Sequence, residues 1–189
     1  AGAGGPTGIT RLFGAEMGTQ ISWLIPAALV LGVVLLWATR RAPRTDGRRA
    51  AVLLWAGWLV VTGLVFSLMQ GIVHPYYNVA LAPAVAALVG IAVAKLVERR
   101  ESWAARLVLA AMLVATGAWS FVLLDRNPEW WPAIRWVVLV GSMLVAVVLA
   151  VRAHRLGNAT GAVVVAAASV GLGGPAAYSI YNVTSAHNG

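Results

Sequence analysis

Phe66-Ser67-Leu68-Met69-Gln70-Gly71-Ile72-Val73-His74-Pro75-Tyr76-Tyr77 separates two long apolar runs, about Ala50–Gln70 and Tyr77–Lys95. Each run is close to twenty residues, the length a helix needs to cross the hydrocarbon of a bilayer. The break between them is chemically distinct. Pro75 pushes His74 out of helical geometry, and the two tyrosines then carry amphipathic rings suited to a membrane–water boundary. The same pattern of apolar run, short polar break and apolar run repeats along the chain, and it decides the fold.

The 189 residues are 60% hydrophobic and 11% charged, with a mean hydropathy of +0.82. A soluble domain carries about 25% charged residues. Six apolar spans are predicted: about Ile21–Thr39, Ala50–Gln70, Tyr77–Lys95, Trp103–Leu124, Pro132–Val151 and Thr160–Tyr178. Gly171, Gly173, Gly174 and Pro175 loosen the end of the last one. The expected fold is an all-α, polytopic transmembrane helical bundle. Residues 1–20 form a juxtamembrane segment, 21–178 the six-span domain and 179–189 a tail. Ile9, Leu12, Phe13 and Met17 are spaced for a short interfacial helix.

A net charge of +8 would suggest nucleic acid in a soluble protein. Here the basic residues sit between the apolar runs, where they set topology and meet anionic headgroups, so no nucleic-acid partner is expected. Eleven lie on one side: Arg40, Arg41, Arg44, Arg48, Arg49, Lys95, Arg99, Arg100, Arg106, Arg152 and Arg155. Three, Arg11, Arg126 and Arg135, lie on the other. That asymmetry puts the first set in the cytoplasm. Both chain ends and the turns at 71–76 and 125–131 then face outward. Trp23, Trp119, Trp130, Trp131 and Trp136 fit the outer interface, Trp37 and Trp103 the inner one, and Trp55 and Trp58 pack deeper. The chain starts without methionine or a leader pattern, and both ends read as cuts in a longer protein.

An imidazole and two phenols at the outer surface can hydrogen-bond a phosphate or a sugar arriving from the lipid phase. His74, Tyr76 and Tyr77 are therefore the leading candidates; the alternative is an interfacial turn in which they only anchor the chain. The outer carboxylates Glu16, Asp125 and Glu129 are secondary candidates for base or metal work. Asp125 to Glu129 also reads as a solvated loop with a local ion pair. Arg135 could pair with a lipid phosphate or snorkel to headgroups. No metal-ligand cluster or phosphate-cradling glycine loop is present in the spacing. With no cysteine, thiolate chemistry is excluded. No span carries a charge at mid-depth, which argues against ion pumps and voltage sensors.

Arg11-Leu12-Phe13, Gly18-Thr19-Gln20-Ile21-Ser22-Trp23-Leu24-Ile25-Pro26, Phe66-Ser67, His74-Pro75-Tyr76-Tyr77 and Leu81-Ala82-Pro83-Ala84 together resemble a known family. They look like the C-terminal half of bacterial GT-C membrane glycosyltransferases related to protein O-mannosyltransferases and the lipid A aminoarabinose transferase. The likeness is greatest to the actinobacterial and Gram-positive branch, and it covers most of residues 9–95. It implies transfer of a sugar from a polyprenyl-phosphate lipid to an acceptor on the outer face of the cytoplasmic membrane. It places the catalytic acid, and the ligands of any divalent metal, in a first outer loop belonging to a missing N-terminal half. No catalytic residue is therefore carried onto this chain, and no metal is assigned to it. The lipid-phosphate position of the family maps onto Gln70, His74, Tyr76 and Tyr77. Many relatives have a lysine in that segment; this chain has none. A non-enzymatic membrane scaffold or accessory subunit is the competing class.

Overall fold

The computed structural model describes residues 4–129, 132–152, 155 and 157–184. Among them the regular elements are helices only. They form two compact units, residues 1–94 and 95–189.

The first unit contains α1 (Gly18–Ile21), α2 (Ile25–Thr39), α3 (Gly47–Leu68) and most of α4 (Ala82–Glu98). A 3-10 turn at Pro75–Leu81 leads into α4. The Asp46 carboxylate accepts from the Arg49 backbone N–H at 2.7 Å and so caps the start of α3. At 22 residues α3 is about 33 Å long, enough to cross a bilayer. Its buried positions, Val52, Leu59 and Ser67, form a narrow stripe, while Val60, Val61, Leu64, Val65 and Leu68 are exposed. In water that would be an aggregating surface; in lipid tails it is the solvated one. On α4 the inward stripe is Ala84, Val85, Leu88 and Ala92, and a Cβ at Gly32 of α2 would touch Leu88 at 3.6 Å.

The expected first span, Ile21–Thr39, is not one helix. Pro26 has no N–H to bond the Ser22 carbonyl, so the backbone breaks at 22–24 and starts again at Ile25. The Ser22 hydroxyl turns back to the Gly18 carbonyl at 2.7 Å, and the Trp23 indole N–H donates to the Thr19 carbonyl at 2.7 Å. The remaining 15 residues of α2 make about 22 Å, short of the roughly 30 Å hydrocarbon thickness. Nor is there one interfacial helix before it. Residues 11–13 make a 3-10 turn that buries Leu12, Met17 is buried further on, and Ile9 is 74% exposed. Glycines at 4, 5 and 8, all at positive φ, break the helical path.

The second unit contains α5 (Trp103–Leu124), α6 (Pro132–Arg152), α7 (Thr160–Gly171) and α8 (Gly173–Thr184). Helix α5 is its centre. Ala105, Leu109, Leu113, Thr116, Gly117, Ser120, Leu123 and Leu124 are buried at helical spacing. A Cβ at Gly117 would lie 2.6 Å from Cβ of Ser142, so α5 and α6 meet backbone to side chain there. Arg106 donates from Nε to the Ala150 carbonyl of α6 at 3.0 Å and from Nη1 to the Glu101 carbonyl at 3.1 Å. The expected last span, Thr160–Tyr178, is divided by a 50° bend between α7 and α8, at the glycine-rich stretch ahead of Pro175. Among the described residues, four helical segments are thus long and apolar enough to cross a membrane: Gly47–Leu68, Pro75–Glu98, Trp103–Leu124 and Pro132–Val151. The bent pair makes a fifth if it crosses as one.

Candidate functional site

The segment 69–74 leaves α3 at Met69, which is extended (ψ 143°), passes Gly71 at φ +93°, and reaches His74, extended before Pro75. The following turn is 3-10, in which residues three apart share a face. Pro75, Asn78 and Leu81 form one such row; Asn78 is 1% and Leu81 0% exposed. Tyr76 and Val79 form another, at 63% and 70% exposed, and Tyr77 is 42% exposed. The turn therefore offers its two phenols outward and keeps its amide inside. Neither the side-chain oxygen nor the side-chain nitrogen of Asn78 has a hydrogen-bond partner among the described residues.

Three of the four principal candidates form one cluster. The His74 ring stacks on Tyr76, with centroids 5.2 Å apart and planes 15° apart, and meets Tyr77 edge-on at 5.6 Å. Tyr76 and Tyr77 are themselves edge to face at 4.7 Å. Such contacts fix the directions of the ring edges and hydroxyls while leaving them accessible. Gln70 is exposed on the same loop but is not part of the ring cluster. The Trp58 indole N–H donates to the Ala80 carbonyl at 2.9 Å, tying the 3-10 turn along α3. Trp58 thus packs helix against turn, as expected of a deeper tryptophan, though its ring is 46% exposed.

Behind this loop lies a residue that the sequence presents only as a topology charge and as one letter of a resemblance. Arg11 is 5% exposed. It donates from Nε to the Gly4 carbonyl at 2.8 Å and from Nη1 to the carbonyls of Met69 at 2.8 Å and Phe66 at 3.2 Å. The Gly8 N–H takes the Ser67 carbonyl at 2.8 Å. Three carbonyls that the end of α3 leaves without helical partners are capped in this way by the chain's first residues. Glu16 is exposed and does not join the rings; one carboxylate oxygen accepts the Gly4 N–H at 2.6 Å.

The second unit holds the other three candidates. Arg135 and Asp125 are ion-paired across the α5–α6 connection, and the Arg135 guanidinium lies 5.8 Å from the Phe121 ring. Among the described residues the partner of Asp125 is thus Arg135 of α6 and not a residue of the 125–129 loop itself. Glu129 is exposed, with no ion pair among the described residues. Trp136 is 53% exposed and Trp23 only 5%, so Trp23 packs against the protein. Trp130 and Trp131 lie outside the described residues. Among those described, no three His, Asp or Glu side chains gather as metal ligands.

Apolar helices of spanning length, with an exposed imidazole–phenol cluster between two of them, fit a polytopic helical membrane protein. Comparison with known proteins narrows the class. The chain is 33% identical over 141 residues to "Putative mannosyltransferase YkcB" of Bacillus subtilis, covering 72% of this chain and 19% of that protein. It is 32% identical over 154 residues to "Putative mannosyltransferase YycA" of the same organism, covering 79% of this chain and 22% of that protein. The chain thus spans about a fifth of the length of these curated relatives. The likeness supports a glycosyltransferase family. No family model matches the chain, and no solved structure matches it.

Proposed function

We propose that this chain is the C-terminal membrane part of a glycosyltransferase that moves a sugar from a polyprenyl-phosphate donor to an acceptor on the outer face of the cytoplasmic membrane. Its part in that reaction is to hold the donor's lipid phosphate. The observation that carries the reading is the His74–Tyr76–Tyr77 cluster, exposed between two apolar helices, in a chain similar to two proteins named as mannosyltransferases.

In the reaction the bond from the sugar's anomeric carbon to the phosphate oxygen breaks, and a bond to the acceptor oxygen forms. The acceptor's proton goes to a base, and polyprenyl phosphate leaves with the bonding electron pair. Negative charge grows on the leaving phosphate, and aimed hydrogen-bond donors stabilise it most when they are already in place. The His74 ring N–H and the Tyr77 phenolic O–H are such donors, with Gln70 beside them; the Tyr76 hydroxyl is hydrogen-bonded to Tyr77 and orients the pair. The base is expected outside residues 1–189, in the outer loop that the family resemblance implies. Asp125, Glu129 and Glu16 are secondary candidates, and Arg135 is a secondary phosphate partner. The exposed apolar faces of α3 and α4 suit the polyprenyl tail.

The test uses the full-length protein in native membranes with radiolabelled polyprenyl-phosphate mannose, following loss of label from the donor lipid. Replacing one aimed donor in a transition-state site typically costs about 100-fold or more. His74→Ala should therefore lower transfer by at least about tenfold with expression and insertion unchanged, and His74→Gln, which keeps a donor, by less. Full activity in both variants would return His74 to the role of an interfacial turn. Absence of transfer by the unaltered protein, across donors of several sugars, would favour the scaffold.

A further inference from the structure

Residues 50–94 contain no Asp, Glu, Lys or Arg. Where α3 ends and the ring cluster begins, the formally charged side chains of the first unit are Arg11 and Glu16. No ion pair forms between them among the described residues. Arg11 is instead surrounded by backbone carbonyls, two of them from the end of α3 and the start of the loop. Nη2 of Arg11 and the Val73 carbonyl lie 2.9 and 2.6 Å from the position a Cβ on Gly4 would take. The guanidinium and the carbonyl of the residue immediately before His74 thus both flank Gly4, which stands at φ +102° and has no room for a side chain.

Two physical consequences follow from that placement. A helix C-terminus carries about half a negative charge, concentrated on its last carbonyls. Left uncapped, the end of α3 would repel an anion brought to the adjoining loop; a guanidinium bonded to Phe66 and Met69 cancels that charge. The planar fork of arginine also holds carbonyls from separate segments in fixed directions, which a lysine ammonium does not. The path of residues 69–74, and with it the position of His74, is set by Arg11.

We propose that Arg11 is a positioning residue of the donor-phosphate site. It locks the loop that carries His74 to the end of α3, and it removes the negative helix end from the neighbourhood of the phosphate. The inference rests on the donor-site reading given above.

The test is binding of radiolabelled polyprenyl phosphate to the full-length protein in nanodiscs, with the uncharged polyprenol as control. Arg11→Lys and His74→Ala should each weaken polyprenyl-phosphate binding about tenfold and leave polyprenol binding unchanged. The double variant should be little worse than either single one, because Arg11 acts through the loop that His74 stands on. Amide hydrogen exchange at 69–74 should quicken in Arg11→Lys, with the other helices unaffected. A folded Arg11→Lys protein with normal phosphate affinity, beside a weakened His74→Ala, overturns the inference and leaves the donor site standing. Equal loss of phosphate and polyprenol binding in Arg11→Lys also overturns it, since a mere clasp would collapse the groove for both. Normal phosphate affinity in His74→Ala overturns the donor-site reading and Arg11's part in it together.

Discussion

A methyl group added to Gly117 would lie 2.5 Å from Oγ and 2.6 Å from Cβ of Ser142, closer than packed carbons tolerate. The Ser142 hydroxyl could rotate away, but its Cβ could not, so α5 and α6 would have to part. Against this stands the helix propensity of alanine, worth about 1 kcal/mol over glycine. Overpacking at a tight contact costs about 1–3 kcal/mol and should prevail. Gly117→Ala is expected to lower the thermal midpoint of the purified protein by a few degrees. Gly57→Ala, on α3 with nothing within 4 Å, should raise it or leave it unchanged. Thermal unfolding in one detergent compares the pair, and a Gly117→Ala protein as stable as Gly57→Ala would count against close α5–α6 contact. The same scale explains what sequence could not supply about the site. His74, Tyr76 and Tyr77 stand out as polar and aromatic residues at a break between apolar runs, and the structure brings their rings together. Arg11 lies 55 and 58 residues from the carbonyls it caps, and no local pattern relates them.

At the scale of elements, the long helices were legible because lipid-facing and inward positions are both apolar, so an uninterrupted run of about twenty marks a span. Hydropathy fails where backbone chemistry interrupts such a run. Ser22 and Trp23 are compatible with a hydrophobic window, yet Pro26 ends the helical ladder, and Gly173, Gly174 and Pro175 stand where α7 turns into α8. The turn from α3 to α4 is held differently, by the indole of Trp58 on the Ala80 carbonyl. Trp58→Phe removes that bond and should cost about 1 kcal/mol. Its neighbour Trp55, whose ring lies 6.2 Å from that of Trp58, makes no such bond among the described residues. Trp55→Phe should accordingly be milder. Faster amide exchange at Pro75–Leu81 in Trp58→Phe, but not in Trp55→Phe, is the expected signature. Equal behaviour would mean that ring packing, rather than the hydrogen bond, fixes the turn.

For the molecule as a whole, the proposed function requires that the ring cluster face the outside while the arginine-rich connection between α2 and α3 faces the cytoplasm. The connections around Arg40–Arg49 and Lys95–Arg106, with Arg152 and Arg155, hold eleven of the fourteen basic residues. In a helical membrane protein, short loops rich in Lys and Arg stay on the cytoplasmic side, because moving each charge across opposes the membrane potential. Helix α3, about 33 Å long, then places its start and its end on opposite surfaces. Residues 1–189 contain no cysteine, so an introduced one is the single thiol of this part, and the unsubstituted protein serves as the labelling control. Gly47, exposed at the start of α3, and Ile72, 73% exposed beyond its end, are suitable positions; Val73 is fully buried and would report packing instead. In sealed cells an impermeant maleimide should label Ile72→Cys of the full-length protein and spare Gly47→Cys until the membrane is opened. Labelling of Gly47→Cys alone would invert the orientation and put the ring cluster on the cytoplasmic side, where a donor presented on the outer face could not reach it. Equal labelling of both from outside would remove α3 as a span, and with it the membrane boundary at which His74, Tyr76 and Tyr77 are proposed to meet the lipid phosphate.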